Sequence, residues 1–252
     1  MDSPILYSTK RWLRILDSRW TRKTRTVQFR GHGFRFYSTY WWSDVSQALL
    51  ETEIAPYFEA LDQDFRPSVI IDAGAATGHF AVLAATLFPS STVYAFEPSE
   101  RQRVLLARNA RLNGVRNLEI QPFGLWNRAD QLAFRTNGAE SSFESVSRFR
   151  GQLPFLETAP VQSLDAWLRE KKISGVDFIK MDAEGAELEI LEGAEETLKG
   201  IHPRLLIQAY HLRDGARTFE RCAEMLAAQN YLIAECPPAS GLLYARQAFA
   251  NS

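Results

Sequence analysis

The stretch Val69-Ile70-Ile71-Asp72-Ala73-Gly74-Ala75-Ala76-Thr77-Gly78 decides the fold class of this chain. Its first three residues form a short apolar run, which is typical of a strand covered on both faces. Gly74 and Gly78 allow the backbone to turn tightly and to approach a ligand where a Cβ would clash. Apolar residues then recur at helical spacing from Phe80 to Phe88. The stretch therefore predicts a strand, a glycine turn and the start of a helix.

A second strand is predicted over residues 92–96, and it delivers Glu97 to the carboxyl edge of the sheet. An acid there accepts hydrogen bonds from the two ribose hydroxyls of a nucleotide-like cofactor. Dinucleotide-binding turns usually show G-x-G-x-x-G and hold a pyrophosphate on the helix N-terminus. This turn is instead D-x-G-x-x-x-G, and the Asp72 carboxylate would repel a pyrophosphate but attract an ammonium group. The pattern therefore favours S-adenosylmethionine over NAD.

Strands and helices alternate along the rest of the chain. Further strands are predicted at residues 118–121, 176–181, 204–211, 230–236 and 242–248. One helix is predicted to carry Leu188, Leu191, Ala194 and Leu198 and to end at Gly200. Residues 122–160 are expected to form a long irregular insertion. The alternation predicts a mostly parallel sheet, and the two closing strands predict an antiparallel edge.

The 252 residues are enough for one large α/β domain with an N-terminal extension. We assign residues 1–62 to a basic arm, an aromatic segment and a helix, and residues 63–252 to the cofactor-binding domain. The sequence has neither a long apolar span nor an apolar leader, and its two cysteines lack metal or redox spacing. These features favour a cytoplasmic protein with reduced thiols.

Charge is concentrated at one end of the chain. Residues 1–35 hold nine basic residues and two acids, a balance of +7, so the remainder carries −8 of the net charge of −1. Trp and Leu lie between these charges, as in helices that bind anionic membranes. Nucleic-acid contact and an organellar presequence are alternatives. We favour an arm that packs its apolar side on the domain, we keep peripheral membrane contact open, and we expect no nucleic-acid partner.

Polar residues follow four of the predicted strands, at the edge where open α/β sheets bind ligands. They are residues 72–78, Glu97, Asp182 with Glu184, and residues 208–211. Methyl transfer from a sulfonium requires an aligned acceptor and a base for the hydroxyl proton. His211 has an intrinsic pKa suited to that role, and Asp182 is the other candidate. Alternatively, His211 is an ordinary strand-end histidine, and Asp182 and Glu184 favour the N-terminus of the next helix.

A resemblance to a known family is carried by several segments. They are Ile71-Asp72-Ala73-Gly74-Ala75, Glu97-Pro98, Ser163-Leu164-Asp165, residues 179–187 and Leu191-Glu192-Gly193-Ala194. Together they resemble the FkbM-type family of S-adenosylmethionine-dependent methyltransferases over about residues 68–212, most specifically in K-x-D-x-E-G-x-E. The resemblance implies a class I methyltransferase fold with a seven-stranded sheet. It also implies a set of cofactor-binding residues, with the last two near the transferred methyl group: Asp72, Gly74, Ala75, Gly78, Glu97, Pro98, Asp182 and Glu184.

Two positions depart from the family pattern. Ala76 stands where the family usually has Asn, and Gln208 stands on the fifth strand where it usually has Glu. The second departure argues against a metal or carboxylate role at that strand end. We therefore expect no metal site and prefer His211 as the base.

The resemblance implies O-methylation of a sugar, glycan or secondary metabolite. The alternatives are a non-catalytic cofactor-binding subunit, methylation of nitrogen or of a protein side chain, and an NAD-dependent oxidoreductase, which Asp72 disfavours. The aromatic residues Tyr40, Trp41 and Trp42, with the loop at residues 141–147, are predicted to cover the acceptor pocket. The alternative is that these aromatics pack as core against the arm.

Overall fold

A computed structural model describes residues 24–37, 47, 50–137, 140–142, 156–213, 215–238 and 240–248. In chain order the strands are β1 Thr24–Phe29, β2 His32–Tyr37, β3 Val69–Ala73, β4 Thr92–Phe96, β5 Leu118–Gln121, β6 Gly124–Leu125, β7 Asp130–Asn137, β8 Glu140–Ser142, β9 Leu156–Gln162, β10 Phe178–Met181, β11 Arg204–Gln208, β12 Leu212–Arg213, β13 Ala216–Arg217, β14 Tyr231–Glu235 and β15 Leu242–Gln247. The α-helices are α1 Ala55–Glu59, α2 His79–Leu87, α3 Glu100–Leu112, α4 Leu164–Lys171, α5 Glu187–Glu192, α6 Glu195–Gly200 and α7 Thr218–Ala227. A π-helical turn, Leu50–Ile54, precedes α1.

Seven strands form the central sheet, in the order β14-β15-β11-β10-β3-β4-β5. The pairs from β11 to β5 are parallel, whereas β15 runs antiparallel to both β11 and β14. The predicted seven-stranded, mostly parallel sheet with an antiparallel pair towards one edge is confirmed. Parallel strands place their carboxyl ends at one edge, so the residues that follow β3, β4 and β10 come together there.

Two apolar clusters cover the two faces of this sheet, as the apolar strand sequences require. Ile70 on β3 packs in the cluster that holds α2 and α3, and Ile71 packs in the cluster that holds α4 to α7. In β10 all of Phe178–Met181 is buried, including the charged residue Lys180. The sheet therefore buries one cation deep in its centre, beside the predicted cofactor turn.

The described N-terminal residues pack on the same domain. Strands β1 and β2 form an antiparallel hairpin, and Phe34 and Phe36 are buried in the cluster that holds Phe80. The backbone N–H of Tyr37 donates to Oδ1 of Asn109 on α3 at 2.9 Å. These residues therefore share an apolar core with the sheet domain, whereas the predicted domain boundary at residue 62 stays a prediction.

Two predicted elements differ from the structure. Described parts of the 122–160 segment form a second sheet, ordered β6-β9-β7-β8, rather than an irregular insertion. Ala159 and Val161 alternate with exposed neighbours, but Pro160 between them obscures the strand pattern. The single helix predicted up to Gly200 is divided into α5 and α6 at Gly193. A Cβ on Gly193 would lie 2.0 Å from the carbonyl oxygen of Trp126, so this segment packs against the backbone of another loop.

Several predictions fall outside the described residues. These include the basic arm up to residue 23, the aromatic cluster Tyr40, Trp41 and Trp42, and residues 143–147 of the predicted covering loop. The longest of the described helices, α3, has 13 residues, and none of them is long and apolar enough to cross a membrane.

Candidate functional site

An open cavity lies where β3, β4 and β10 end. It is lined by Gly74, Ala76, Phe96, Glu97, Pro98, Gln102, Gly124, Leu125, Asp182, Ala183, Glu184, Ala186 and Ile190. Of the predicted cofactor-binding residues, Gly74, Glu97, Pro98, Asp182 and Glu184 line this cavity. Asp72, Ala75 and Gly78 are not among the residues that line it. Gly124 and Leu125 belong to β6, so the insertion predicted to be irregular contributes to the cavity wall.

The turn after β3 is held closely against its neighbours. The backbone N–H groups of Gly74 and Ala75 both donate to the carbonyl oxygen of Phe96, at 3.1 and 3.0 Å. Gly74 has φ +78°, and a Cβ there would lie 2.0 Å from the carbonyl oxygen of Asp182. Only glycine fits this close approach without a backbone shift. The turn is therefore positioned by the ends of both β4 and β10.

Ala76 adopts a backbone conformation that disfavours its side chain. Its φ is +47°, in the left-handed region that Asn and Gly tolerate best. Its N–H donates to Oε2 of Glu97 at 2.8 Å, so the strained residue takes part in the site. The Asn that the family usually has at this position tolerates a positive φ better than Ala does, so the departure to Ala adds backbone strain.

Glu97 has the position expected for a ribose-binding acid. It lines the cavity, is 5% exposed, and accepts hydrogen bonds from the N–H groups of Ala76 and Ser99, both at 2.8 Å. Burial raises the pKa of Glu97 to about 7, against the opposing effects of these two N–H groups and of Arg103. The carboxylate is thus fixed in orientation, and each oxygen keeps a further lone pair for a ligand.

Asp72 forms a buried ion pair rather than part of the cavity wall. Its Oδ1 lies 3.0 Å from Nζ of Lys180, and the two side chains are 0% and 6% exposed. Nζ of Lys180 also donates to the carbonyl oxygen of Gly74 at 3.0 Å. The pair therefore supports the glycine turn from behind. A direct contact between Asp72 and a cofactor ammonium, as the sequence predicted, would require this pair to open.

The side chains of Asp182, Glu184 and His211 lie close together. Nε2 of His211 lies 3.3 Å from Oε2 of Glu184, and ligand atoms of Asp182, Glu184 and His211 all lie within 4.8 Å of one another. Nδ1 of His211 lies 3.0 Å from Oε1 of Glu187, which is 0% exposed and also accepts the N–H of Gly185 at 3.0 Å. The predicted convergence of His211 with Asp182 and Glu184 is thus present in the structure.

The charge of this cluster changes the expected protonation of His211. Burial alone would lower the pKa of His211, but its contacts with Glu184 and Glu187 and the charge of Asp182 raise it to about 10. The intrinsic pKa on which the predicted role of His211 as a base rests is therefore not the pKa that this environment gives it. Burial raises the pKa of Asp182 to about 6, while Lys180 opposes that shift. A protonated imidazole cannot accept a further proton, whereas the carboxylate of Asp182 can.

The helix-capping alternative for the acids is not what the structure shows. The N-cap of α5 is Ala186, and no side chain caps it. Glu184 instead has φ +52° and is followed by Gly185 at φ +98°, a turn that brings its carboxylate towards His211. The acids of this segment therefore contribute to the cavity and the cluster rather than to the helix end.

Two buried residues of this region were missed as site residues. Lys180 and Glu187 are part of the K-x-D-x-E-G-x-E motif, but no role is predicted for either of them from the sequence. A lysine inside an otherwise apolar strand of four residues is the signal that could have identified Lys180, because a buried cation requires a partner. Glu187 has no comparable local signal, since its partner His211 lies on another strand end.

Comparisons with known proteins agree with this architecture. The model of the methyltransferase FkbM domain matches residues 72–233. A curated relative, methyltransferase 1 of Beauveria bassiana (strain ARSEF 2860), is 25% identical over 185 residues, covering 66% of this chain and 73% of that protein. Methyltransferase sdnD of Sordaria araneosa is 30% identical over 164 residues, covering 50% of this chain and 60% of that protein.

A solved structure shows the same fold. The methyltransferase FkbM of Methylobacillus flagellatus KT matches with a TM-score of 0.52 and 20% identity, over 75% of this chain and 46% of that protein. This chain thus spans less than half the length of the solved protein. The family model, however, covers well over half of this chain, from the glycine turn at Asp72 to β14. The chain therefore belongs to the FkbM family of methyltransferases.

Proposed function

We propose that this protein transfers a methyl group from S-adenosylmethionine to a hydroxyl oxygen of a small-molecule or glycan acceptor. The observation that carries this proposal is the position of Asp182, which ends β10 and lines the same cavity as Glu97. Its Oδ1 is buried and has no hydrogen-bond partner among the described residues. An available carboxylate beside a cofactor cavity suits the removal of a hydroxyl proton.

The cavity fits S-adenosylmethionine better than a dinucleotide. Three of the lining residues, Glu97, Asp182 and Glu184, are acidic and none of the lining residues is basic. Such a wall repels a pyrophosphate and attracts a cofactor that carries an ammonium and a sulfonium group. Glu97 would hold the ribose hydroxyls, and the backbone of Gly74 and Ala76 would pack beside the bound molecule. When bound, S-adenosylmethionine supplies an electrophilic methyl group.

The residues of the chain then have distinct roles. Asp182 accepts the proton that the acceptor hydroxyl loses as it becomes a methyl ether. His211, as an imidazolium between Glu184 and Glu187, holds these acids in place beside Asp182. Lys180 fixes the glycine turn through the carbonyl oxygen of Gly74. In this arrangement His211 is a positioning residue, and Asp182 is the general base.

Transfer of a labelled methyl group tests the activity. The protein is incubated with methyl-labelled S-adenosylmethionine and a panel of hydroxylated sugars, glycans and alcohols, and the products are analysed by mass spectrometry. The expected product carries the label on oxygen. Label on nitrogen would replace O-methylation by N-methylation. Calorimetric binding of NAD, with none of S-adenosylmethionine, would overturn the proposal altogether.

Two variants separate the roles of Asp182 and His211. A positioned base contributes about 10²–10⁴-fold in rate, so Asp182→Asn should lower kcat by that order. His211→Gln should lower kcat less, because the Asp182 carboxylate remains. The affinity for S-adenosylhomocysteine, measured by calorimetry, shows whether the cofactor site is intact in each variant. A larger loss for His211→Gln than for Asp182→Asn would assign the base to His211.

A further inference from the structure

We propose that Asp182, Glu184 and His211 form a binding site for a divalent first-row transition-metal ion. The three residues present two carboxylates and one imidazole, and their ligand atoms lie within 4.8 Å of one another. Carboxylate and imidazole ligands together suit ions such as Mn²⁺. The sequence spacing does not indicate this site, because the histidine lies on a different strand end from the two acids.

The geometry of the cluster is close to that of a metal site. Ligands at about 2.1 Å from a metal are about 3 Å apart when they occupy neighbouring octahedral positions. Nε2 of His211 lies 3.3 Å from Oε2 of Glu184, which is near that separation. The third ligand atom, on Asp182, lies within 4.8 Å of the other two and would have to move inward to complete the site. The positions facing the cavity would remain open for water or for an acceptor oxygen.

A buried carboxylate already orients the histidine for this task. Glu187 is 0% exposed, and its Oε1 lies 3.0 Å from Nδ1 of His211. Metal-binding histidines usually direct their other ring nitrogen at a carboxylate or carbonyl in this way, which fixes the ring and its tautomer. Since Nδ1 contacts Glu187, Nε2 is the nitrogen that faces Asp182 and Glu184. The ring is therefore held with its ligating atom towards the proposed ion, which would displace the Nε2 proton of the imidazolium on binding.

Unpaired oxygens and charge provide a second line of argument. Oδ1 of Asp182 and Oε2 of Glu187 are buried, and neither has a hydrogen-bond partner among the described residues. Buried polar atoms normally have a partner, so these atoms require one. Three carboxylates surround one imidazole, while the nearby Lys180 is engaged by Asp72 and Gly74. A divalent cation would supply the positive charge that this corner lacks.

Titration with Mn²⁺ tests the site without any need for turnover. The full chain is treated with EDTA, freed of chelator and titrated with Mn²⁺, and the loss of the free-ion EPR signal measures binding. We expect a single saturable site in the wild-type protein. Asp182→Asn and His211→Gln should weaken Mn²⁺ binding at least tenfold, and Glu187→Gln should weaken it by about 10–100-fold, since it removes the charge that supports the ring.

A matched control comes from the same helix as Glu187. Glu192 on α5 accepts a hydrogen bond from Nδ2 of Asn127 at 2.8 Å and lies outside the cluster. Glu192→Gln removes one negative charge from the helix and should leave the Mn²⁺ affinity within a few-fold. If His211→Gln fails to fold by circular dichroism, Glu184→Gln takes its place, because that side chain is partly exposed.

The outcomes decide the proposal in either direction. Saturable binding that the cluster variants lose and the control retains supports the site. The absence of Mn²⁺ binding to the wild-type chain, or equal affinity in Asp182→Asn and wild type, overturns it. A role of the ion in holding the acceptor oxygen rests on the proposed function, in which one oxygen of Asp182 would remain the base while the other binds the ion. Mn²⁺ binding without methyl transfer would count against that function alone, and methyl transfer by a chain that binds no Mn²⁺ would count against the metal site alone.

Discussion

Two clusters of charged side chains lie near the C-terminal end of β10, and they differ in their ratio of positive to negative charges. Behind the glycine turn, Asp72 and Lys180 form a one-to-one pair that is almost completely shielded from solvent. At the cavity, three carboxylates surround His211 alone. The first group is neutral and supports a backbone turn. The second has surplus negative charge where a ligand arrives. Charge is thus neutralised where it serves the fold and left unbalanced where we propose binding and catalysis.

The largest expected effect comes from breaking the balanced pair. Lys180→Met leaves the Asp72 carboxylate buried without a counter-ion, and loss of one partner of a buried pair typically costs about 3–5 kcal/mol. It also removes the donor to the carbonyl oxygen of Gly74. The free energy of unfolding, measured by urea denaturation, should fall by that amount.

The double variant Asp72→Asn with Lys180→Met sharpens this prediction. Removal of both charges should recover much of the lost stability, because no unpaired charge remains. Equal stabilities of the wild-type protein and Lys180→Met would mean that the pair does not support the fold. Charge neutralisation at Asp72 and Lys180 would then have no measurable effect on the stability of the fold.

The next effect concerns the acid at the cavity. Glu97→Ala should weaken the binding of S-adenosylhomocysteine by about 1.5–3 kcal/mol, the range for hydrogen bonds to a charged group. The fold should survive, because Glu97 lies at a strand end and lines the cavity. Calorimetry measures the affinity, and thermal unfolding measures the stability. An unchanged dissociation constant would remove Glu97 from the ribose-binding role.

The pH dependence of cofactor affinity follows from the same residue. Burial raises the pKa of Glu97 to about 7, so the free protein holds a growing fraction of neutral Glu97 as pH falls below 7. Ribose hydroxyls donate best to the ionised form. The affinity for S-adenosylhomocysteine should therefore fall between pH 8 and pH 6, by at most about tenfold per unit below the pKa.

Glu97→Gln is the control for this effect. A glutamine does not titrate, so the part of the pH dependence that comes from this position should disappear. Any slope that remains in the variant belongs to other groups, of which the carboxylate of Asp182 is the nearest candidate, since burial raises its pKa to about 6. Identical pH profiles for the two proteins would contradict the assignment to Glu97.

The comparison also shows what a sequence can and cannot predict. Glu97 and the glycine turn were predicted because strand, turn and acid follow one another locally. The pair of Lys180 with Asp72 was not, because it depends on the register between β10 and β3, which are far apart in sequence. The position of His211 beside Asp182 was predicted from strand ends. Its charge was not, because Glu187 approaches it from α5, and that contact is set by tertiary packing.

The insertion illustrates the same limit. β7 and β9 pair over a long register, yet Pro160 and the intervening residues conceal the alternation that would have identified them. The break between α5 and α6 at Gly193 depends on the approach of the Trp126 carbonyl, which no local pattern predicts. The glycine turn and Glu97 could therefore be predicted, because they follow one another along the chain. The charge pairing of Lys180 and of His211 and the contribution of β6 to the cavity could not, because they depend on contacts between distant segments.

The smallest expected effect concerns backbone strain in the turn that lies between the balanced pair and the cavity. Ala76 has φ +47°, a conformation that costs a residue with a Cβ about 1–2 kcal/mol. Ala76→Gly removes that strain, while the greater freedom of glycine in the unfolded chain costs about 0.4–1 kcal/mol. The variant should therefore be more stable by up to about 1.5 kcal/mol in urea denaturation. Ala75→Gly is the matched control, because Ala75 is the adjacent residue and is not among those with positive φ. Ala75→Gly increases the conformational freedom of the unfolded chain and leaves a small gap in the core. Because it relieves no strain, this variant should be less stable than the wild-type protein. Opposite signs for the two substitutions would assign the strain to Ala76, and a loss of stability in both would show that the turn holds no strain that glycine can relieve.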